Sequence, residues 1–148
     1  MDDWKHLLVD GEYIERERLL SGLTAEQAAR KPSERAHSIY EELWHANGWQ
    51  QIVVLRDEKL DEEWQRGHVY PEGPPANEEE WRALVAEFLA GLEKALELAR
   101  SPEMLARETS PGETLADALR SLAVHTAYHM GKIAAVRQFI GAWPPGQP

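Results

Sequence analysis

Apolar residues recur at helical spacing along most of the chain, and strand-like alternation is nearly absent. The first segment runs from about Trp4 to Leu20, with Trp4, Leu7, Leu8, Tyr13 and Ile14 as apolar positions at imperfect spacing. A short helical piece follows at TAEQAARKP, where Thr24 and Gln27 read as a capping box and Pro32 ends the turn. The second long helix covers about Ser38 to Asp57. Its apolar residues, Ile39, Leu43, Trp44, Ala46, Trp49, Ile52, Val53 and Leu55, spread over most of the circumference. A helix apolar on so many sides is buried by more than one neighbour.

The third helix starts at Asn77, an N-cap paired with Glu80, and carries Trp81, Leu84, Val85, Phe88, Leu89, Leu92 and Leu96 at i, i+3, i+4 and i+7. Ser101-Pro102 stops it. The fourth is expected to open at SPGE, with Ser110 as cap, Pro111 at the first helical position and Glu113 closing the box. It runs to about Ile140 and ends at Gly141. Between the second and third helices lies LDEEWQRGHVYPEGPPANEEEW, whose glycines and prolines make its second half a loop pinned by Trp64 and Tyr70. A connection of that length in a small domain is a crossover or a functional loop. Four long helices, one long connection and no strands predict an all-α four-helix bundle. The 148 residues are expected to form a single domain, 1–148, large enough for a core without disulfide staples.

The charge narrows the functional classes. A formal net charge of -10 argues against a general nucleic-acid binder and against an anionic membrane surface as partner. With no cysteine, a metal site must use His, Asp or Glu, and thiol chemistry must use a thiol from a substrate. The start, MDDWKHLLVDGEY, lacks the basic and apolar regions of a signal peptide, so a cytoplasmic location is expected.

His125 and His129 stand four apart on the fourth helix, about 40° apart around its axis. They fall on the flank of the stripe formed by Leu115, Leu119, Leu122, Ile133, Val136 and Ile140, so they face the bundle interior or its rim. On position alone, hydrogen-bonded core histidines are the commoner outcome. A third ligand changes the balance. His45 is the only other histidine in the middle of a buried helix, between Trp44 and Trp49. Packing the second helix beside the fourth brings it against the pair. Three imidazoles with an open fourth position is an arrangement used for catalytic zinc.

Other residues have bland readings first. Glu41, one turn before His45, is a partly exposed polar residue first, and otherwise a fourth ligand or an acceptor for an imidazole N–H. Lys132 and Arg137 read as solvent-reaching cations, although Lys132 can also meet an anionic substrate group. Tyr128 flanks the pair and Trp49 can line a pocket. There is no Gly-rich phosphate loop, no H-E-x-x-H and no G-x-S-x-G. Glu42 with His45 supplies one Glu-x-x-His motif, but the fourth helix has no second copy, which excludes the di-iron bundle pattern.

With those residues in view, the chain resembles the DinB-like superfamily, which includes YfiT-like proteins and bacillithiol- or mycothiol-dependent transferases. The resemblance rests on GLTAEQAARKP, SIYEELWHANGWQ, the crossover with GPPANEEEW, and above all TLADALRSLAVHTAYHMGKIAAVRQFIGAWPP. Met130 and Lys132 depart from it, standing where His-Arg-Gly-Gln is frequent in relatives. The resemblance implies an up-down-down-up bundle and a divalent metal, zinc, nickel or iron, held by His45, His125 and His129. It also implies a homodimer and a small-molecule substrate.

The reading that follows is a metal-dependent S-transferase using a low-molecular-weight thiol. Two others stand beside it: a metal-dependent hydrolase that activates water, and a non-catalytic metal-binding, stress-associated protein.

Overall fold

Ser38 starts the helix around which the rest is built. Its hydroxyl accepts from the Glu41 N–H, and the Glu41 carboxylate accepts from the Ser38 N–H in return. The computed structural model describes residues 2–12 and 14–146. In chain order they form α1 (Asp3–Lys5), a π-helical turn (His6–Asp10), α2 (Arg16–Leu20), α3 (Ala25–Ala29), α4 (Ile39–Leu55), α5 (Glu58–Gln65), α6 (Glu78–Ala99), α7 (Pro102–Leu105), β1 (Glu108–Ser110), β2 (Glu113–Thr114) and α8 (Leu115–Phe139). The fold is all-α apart from the small antiparallel β1–β2 pair.

The helix opened by Ser38, α4, packs chiefly against α8 and α6, as its all-round apolar pattern requires. Tyr40 bonds Glu80 and Asn47 bonds Glu87, so α4 and α6 run the same way, joined by the long crossover. His45 meets His125 while Glu42 meets His129, so α8 runs opposite to α4. One core cluster gathers Leu19, Ile39, Leu43, Trp81, Phe88 and Ile133. The other gathers Leu8, Val53, Leu96, Leu119 and Leu122. Along α8 the two histidines fall between Ala123 of the second cluster and Met130 of the first.

Gly91 on α6 leaves room for the Gln50 side chain of α4. Gln50, fully buried, donates to the Phe88 carbonyl at 2.8 Å, and a Cβ on Gly91 would come within 2.0 Å of its Nε2. Gly91→Ala is therefore expected to destabilise the protein by about 1–3 kcal/mol, the usual cost of overpacking, read as a lower urea midpoint.

Three expectations need correction. The continuous first helix from Trp4 to Leu20 is broken. A π-helical turn, spanned by a Lys5–Asp10 ion pair at 2.7 Å, gives way at Gly11 (φ 64°), and helix resumes only at Arg16. Tyr13, counted among that segment's apolar positions, lies outside the described residues. The fourth helix does not open at Ser110. Pro111-Gly112 turns a hairpin, with Gly112 at φ 79°, and the N-cap is Thr114 in a capping box with Asp117. Arg137 also differs from the solvent-reaching reading. It is buried and donates to the carbonyls of Leu19, Ser21 and Ala142, fastening α2 and the C-terminal tail to α8.

Candidate metal centre

The antiparallel pairing of α4 and α8 brings His45, His125 and His129 together. Each offers one ring nitrogen, and the three nitrogens lie within 4.8 Å of one another. His129 is buried and the other two are half-buried.

Their second nitrogens set the chemistry. His45 Nδ1 lies 2.8 Å from the Val69 carbonyl. A carbonyl only accepts, so Nδ1 carries the proton and Nε2 presents a lone pair. His129 Nδ1 lies 2.5 Å from Glu42 Oε2, and an ionised carboxylate likewise only accepts. That leaves the His129 Nε2 as a second inward lone pair. His45 Nε2 and His125 Nε2 are 3.1 Å apart. Two lone pairs do not face each other at that distance without something positive between them, either a proton on His125 or a shared cation. His125 Nδ1 is buried without a hydrogen-bond partner among the described residues, so no acceptor holds the ring proton on that outer nitrogen. The donor set therefore fits a divalent ion: imidazole nitrogens, two of them oriented by outer partners.

Glu42 is the anchor behind the rings. It is 1% exposed, and besides His129 it meets Lys132 at 2.7 Å and His37 at 3.3 Å. Burial works against its charge, yet the hydrogen bonds from His129 and Lys132 hold its carboxyl down at about 2. Burial opposes the Lys132 ammonium as well, and Glu42 more than offsets it, keeping that pKa above the usual lysine value. Burial, with His129 and His45 as neighbours, pushes the His125 imidazole down to about 4. Burial also lowers His45, against the bond to Val69. At neutral pH His45 and His125 are thus uncharged and free to ligate.

The crossover forms one wall. The Tyr70 ring stacks on His45, and the Trp64 ring also lies against His45, each at a centroid distance of 4.7 Å. His37 packs on Tyr70 at 3.9 Å. Trp49 sits 6.1 Å from His125 and 5.8 Å from Trp64, beside the centre as its position on α4 suggests. Tyr128 meets the His129 ring edge-on at 5.1 Å but is largely exposed, so it belongs to the rim. Lys132 neither reaches solvent freely nor waits for an anion: it is bound to Glu42 and lies over the Tyr128 ring.

Glu41 is not behind the histidines. One of its oxygens closes the Ser38 cap and the other pairs with Lys31 at 3.1 Å. Its neighbour Glu42 takes the outer position instead. The Glu-x-x-His spacing of Glu42 and His45 was the available signal for it. His37 and the Val69 carbonyl were also missed. A backbone acceptor leaves no side-chain signature, although the aromatic residues Trp64 and Tyr70 in a polar connection mark that stretch as packed against something. His6 pairs with Glu12 and His68 with Glu63, both away from the centre.

No helix among the described residues is long and apolar enough to cross a membrane. No curated protein and no solved structure gives a significant match to the chain. The family model of the DinB superfamily, by contrast, matches residues 15–133. That span takes in α4, the crossover, α6 and all three histidines, and the chain belongs to the DinB superfamily.

Proposed function

We propose that this protein is a divalent-metal-dependent enzyme that transfers a low-molecular-weight thiol to an electrophilic small molecule. The observation that carries the reading is the pair of inward lone pairs on His45 and His129, each fixed by an acceptor on the other ring nitrogen, beside a third imidazole. His45, His125 and His129 would hold the ion. A divalent ion in that position supplies a Lewis acid that lowers the pKa of a coordinated thiol towards neutrality. Val69 and Glu42 keep two rings in the ligating tautomer. Trp49, Trp64 and Tyr70 limit water on the crossover side. Lys132 balances the Glu42 charge, so the carboxylate stays ionised without competing for the ion. The chain has no cysteine, so the thiol belongs to a cosubstrate.

The test is elemental analysis of untagged protein beside the His45/His125/His129→Ala variant. About one zinc, nickel or iron per wild-type chain and none in the variant supports the site. Metal retained by the variant removes the three-histidine centre. Turnover of electrophiles is then compared with and without added thiol. Activity that ignores thiol replaces the transferase reading with metal-dependent hydrolysis. Metal removal that leaves no activity to lose, but costs much stability, points to a structural ion.

A further inference from the structure

On the far side of α8 from the histidines lies an apolar groove of about 630 Å³, within the range of small-ligand pockets. At about 100° per residue, Gln138 on its floor stands about 180° around the helix from His129. The two sites share a helix and no lining residue. Ile14, Met130, Ala134 and Trp143 make the groove apolar, and Arg16 and Arg18 enter it from the N-terminal segment.

Those arginines are unusual for such a place. Arg16 is 6% exposed, and its Nε is buried without a hydrogen-bond partner; the Arg18 Nε is in the same condition. Among the described residues neither forms an ion pair with a carboxylate. Two acids lie nearby. Asp10 favours the Arg16 cation without bonding it and is itself ion-paired with Lys5 at 2.7 Å, while Glu12 lines the groove and lies 3.2 Å from His6. The Arg16 guanidinium lies against Gly11, where a Cβ would come within 2.2 Å of Nη1, so the backbone there is shaped around the arginine. Arg137, also buried, shows the contrast: its Nε and Nη1 donate to three carbonyls.

A buried guanidinium with no carboxylate bonded to it is costly, and a bound anion reduces that cost. Its planar fork suits a carboxylate. We propose that this groove is a second binding site, for a small amphipathic carboxylate whose apolar body lies on Met130, Ala134 and Trp143 and whose carboxylate meets Arg16 and Arg18. The occupant is a free small molecule, because the groove combines ligand-sized volume with convergent positive charge.

The test uses decanoate, decanol and decylammonium, each below its aggregation concentration, in calorimetric titrations of the full chain. One decanoate per chain, bound at least tenfold more tightly than either analogue, is expected. Arg18→Met should abolish that preference. Gly131→Leu should abolish binding altogether. A Cβ at position 131 meets nothing within 4 Å, so the leucine fills the groove without straining the fold, and circular dichroism and melting temperature should be preserved. Equal affinity for decanoate and decanol overturns the proposal, as does decanoate binding that survives Gly131→Leu. A change of sedimentation mass in Gly131→Leu also overturns it, because the groove is then covered by a second copy of the chain.

Discussion

Glu42→Gln is expected to weaken metal binding by about 10–100-fold, the usual effect of removing an outer partner of a ligating histidine. The amide has the volume of the carboxylate but only one accepting oxygen. Glu42 accepts on one oxygen from His129 and on the other from Lys132. An amide that satisfies Lys132 turns its NH2 towards His129 Nδ1, which must then accept. The ring proton moves to Nε2, the nitrogen that faces His45 and His125, and a ligating lone pair is lost. Glu42→Ala goes further, leaving the buried His129 Nδ1–H without its acceptor and the partly exposed Lys132 ammonium without its partner. It is expected to cost about 1–3 kcal/mol of stability in the metal-free protein. Lys132→Met keeps the Glu42–His129 bond and should weaken metal binding less than either. Competition titrations against a chromophoric chelator, with urea melts of the metal-free variants, check all three. Unchanged metal affinity in Glu42→Gln would remove Glu42 from the centre.

The contrast between Glu41 and Glu42 also marks where sequence reasoning succeeds and where it stops. The three histidines were legible because each sits mid-helix on a face that the apolar pattern orients, and because i and i+4 positions project together. The choice between two adjacent glutamates was legible too, in principle. Ser38-x-x-Glu41 is a capping-box signature, and a carboxylate used in a cap is not free for an imidazole. Glu42, one residue on, points about 100° away. The start of α8 was ambiguous for a physical reason. Ser110-Pro111-Gly112-Glu113 and Thr114-Leu115-Ala116-Asp117 both carry N-cap patterns, and Pro-Gly favours a turn, so the second cap prevails. The break in the first segment had only its imperfect spacing and Gly11 as warning. The Val69 contact had none, since the crossover's path depends on how Trp64 and Tyr70 pack on His45.

Acid should unfold the metal-free protein in two overlapping stages, and the site itself drives both. His125 moves from 6.5 to about 4 on folding. Its folded pKa is depressed, so between those values the unfolded chain binds a proton that the folded chain does not, and stability rises with pH. This contribution is complete above about pH 6.5 and is lost as pH falls towards 4; at about 1.36 kcal/mol per unit it is of order 3 kcal/mol. His45, lowered in the same direction, adds to the same limb. Glu42 moves from 4.5 to about 2. Its contribution is present above about pH 4.5 and disappears as pH falls through 2, because protonation removes the acceptor for His129 and Lys132. The urea midpoint of wild-type protein should therefore decline between pH 6.5 and 4 and continue to decline below 4.5. In His125→Gln, which has no proton to gain there, the upper limb should flatten by about 1–3 kcal/mol while the lower one remains. Superimposable curves for the two proteins between pH 6.5 and 4 would mean that His125 is not held neutral by its surroundings. The centre would then lack a property that lets it ligate at neutral pH: an imidazole kept uncharged by burial, beside one whose proton is fixed on the outer nitrogen by a carboxylate that stays ionised.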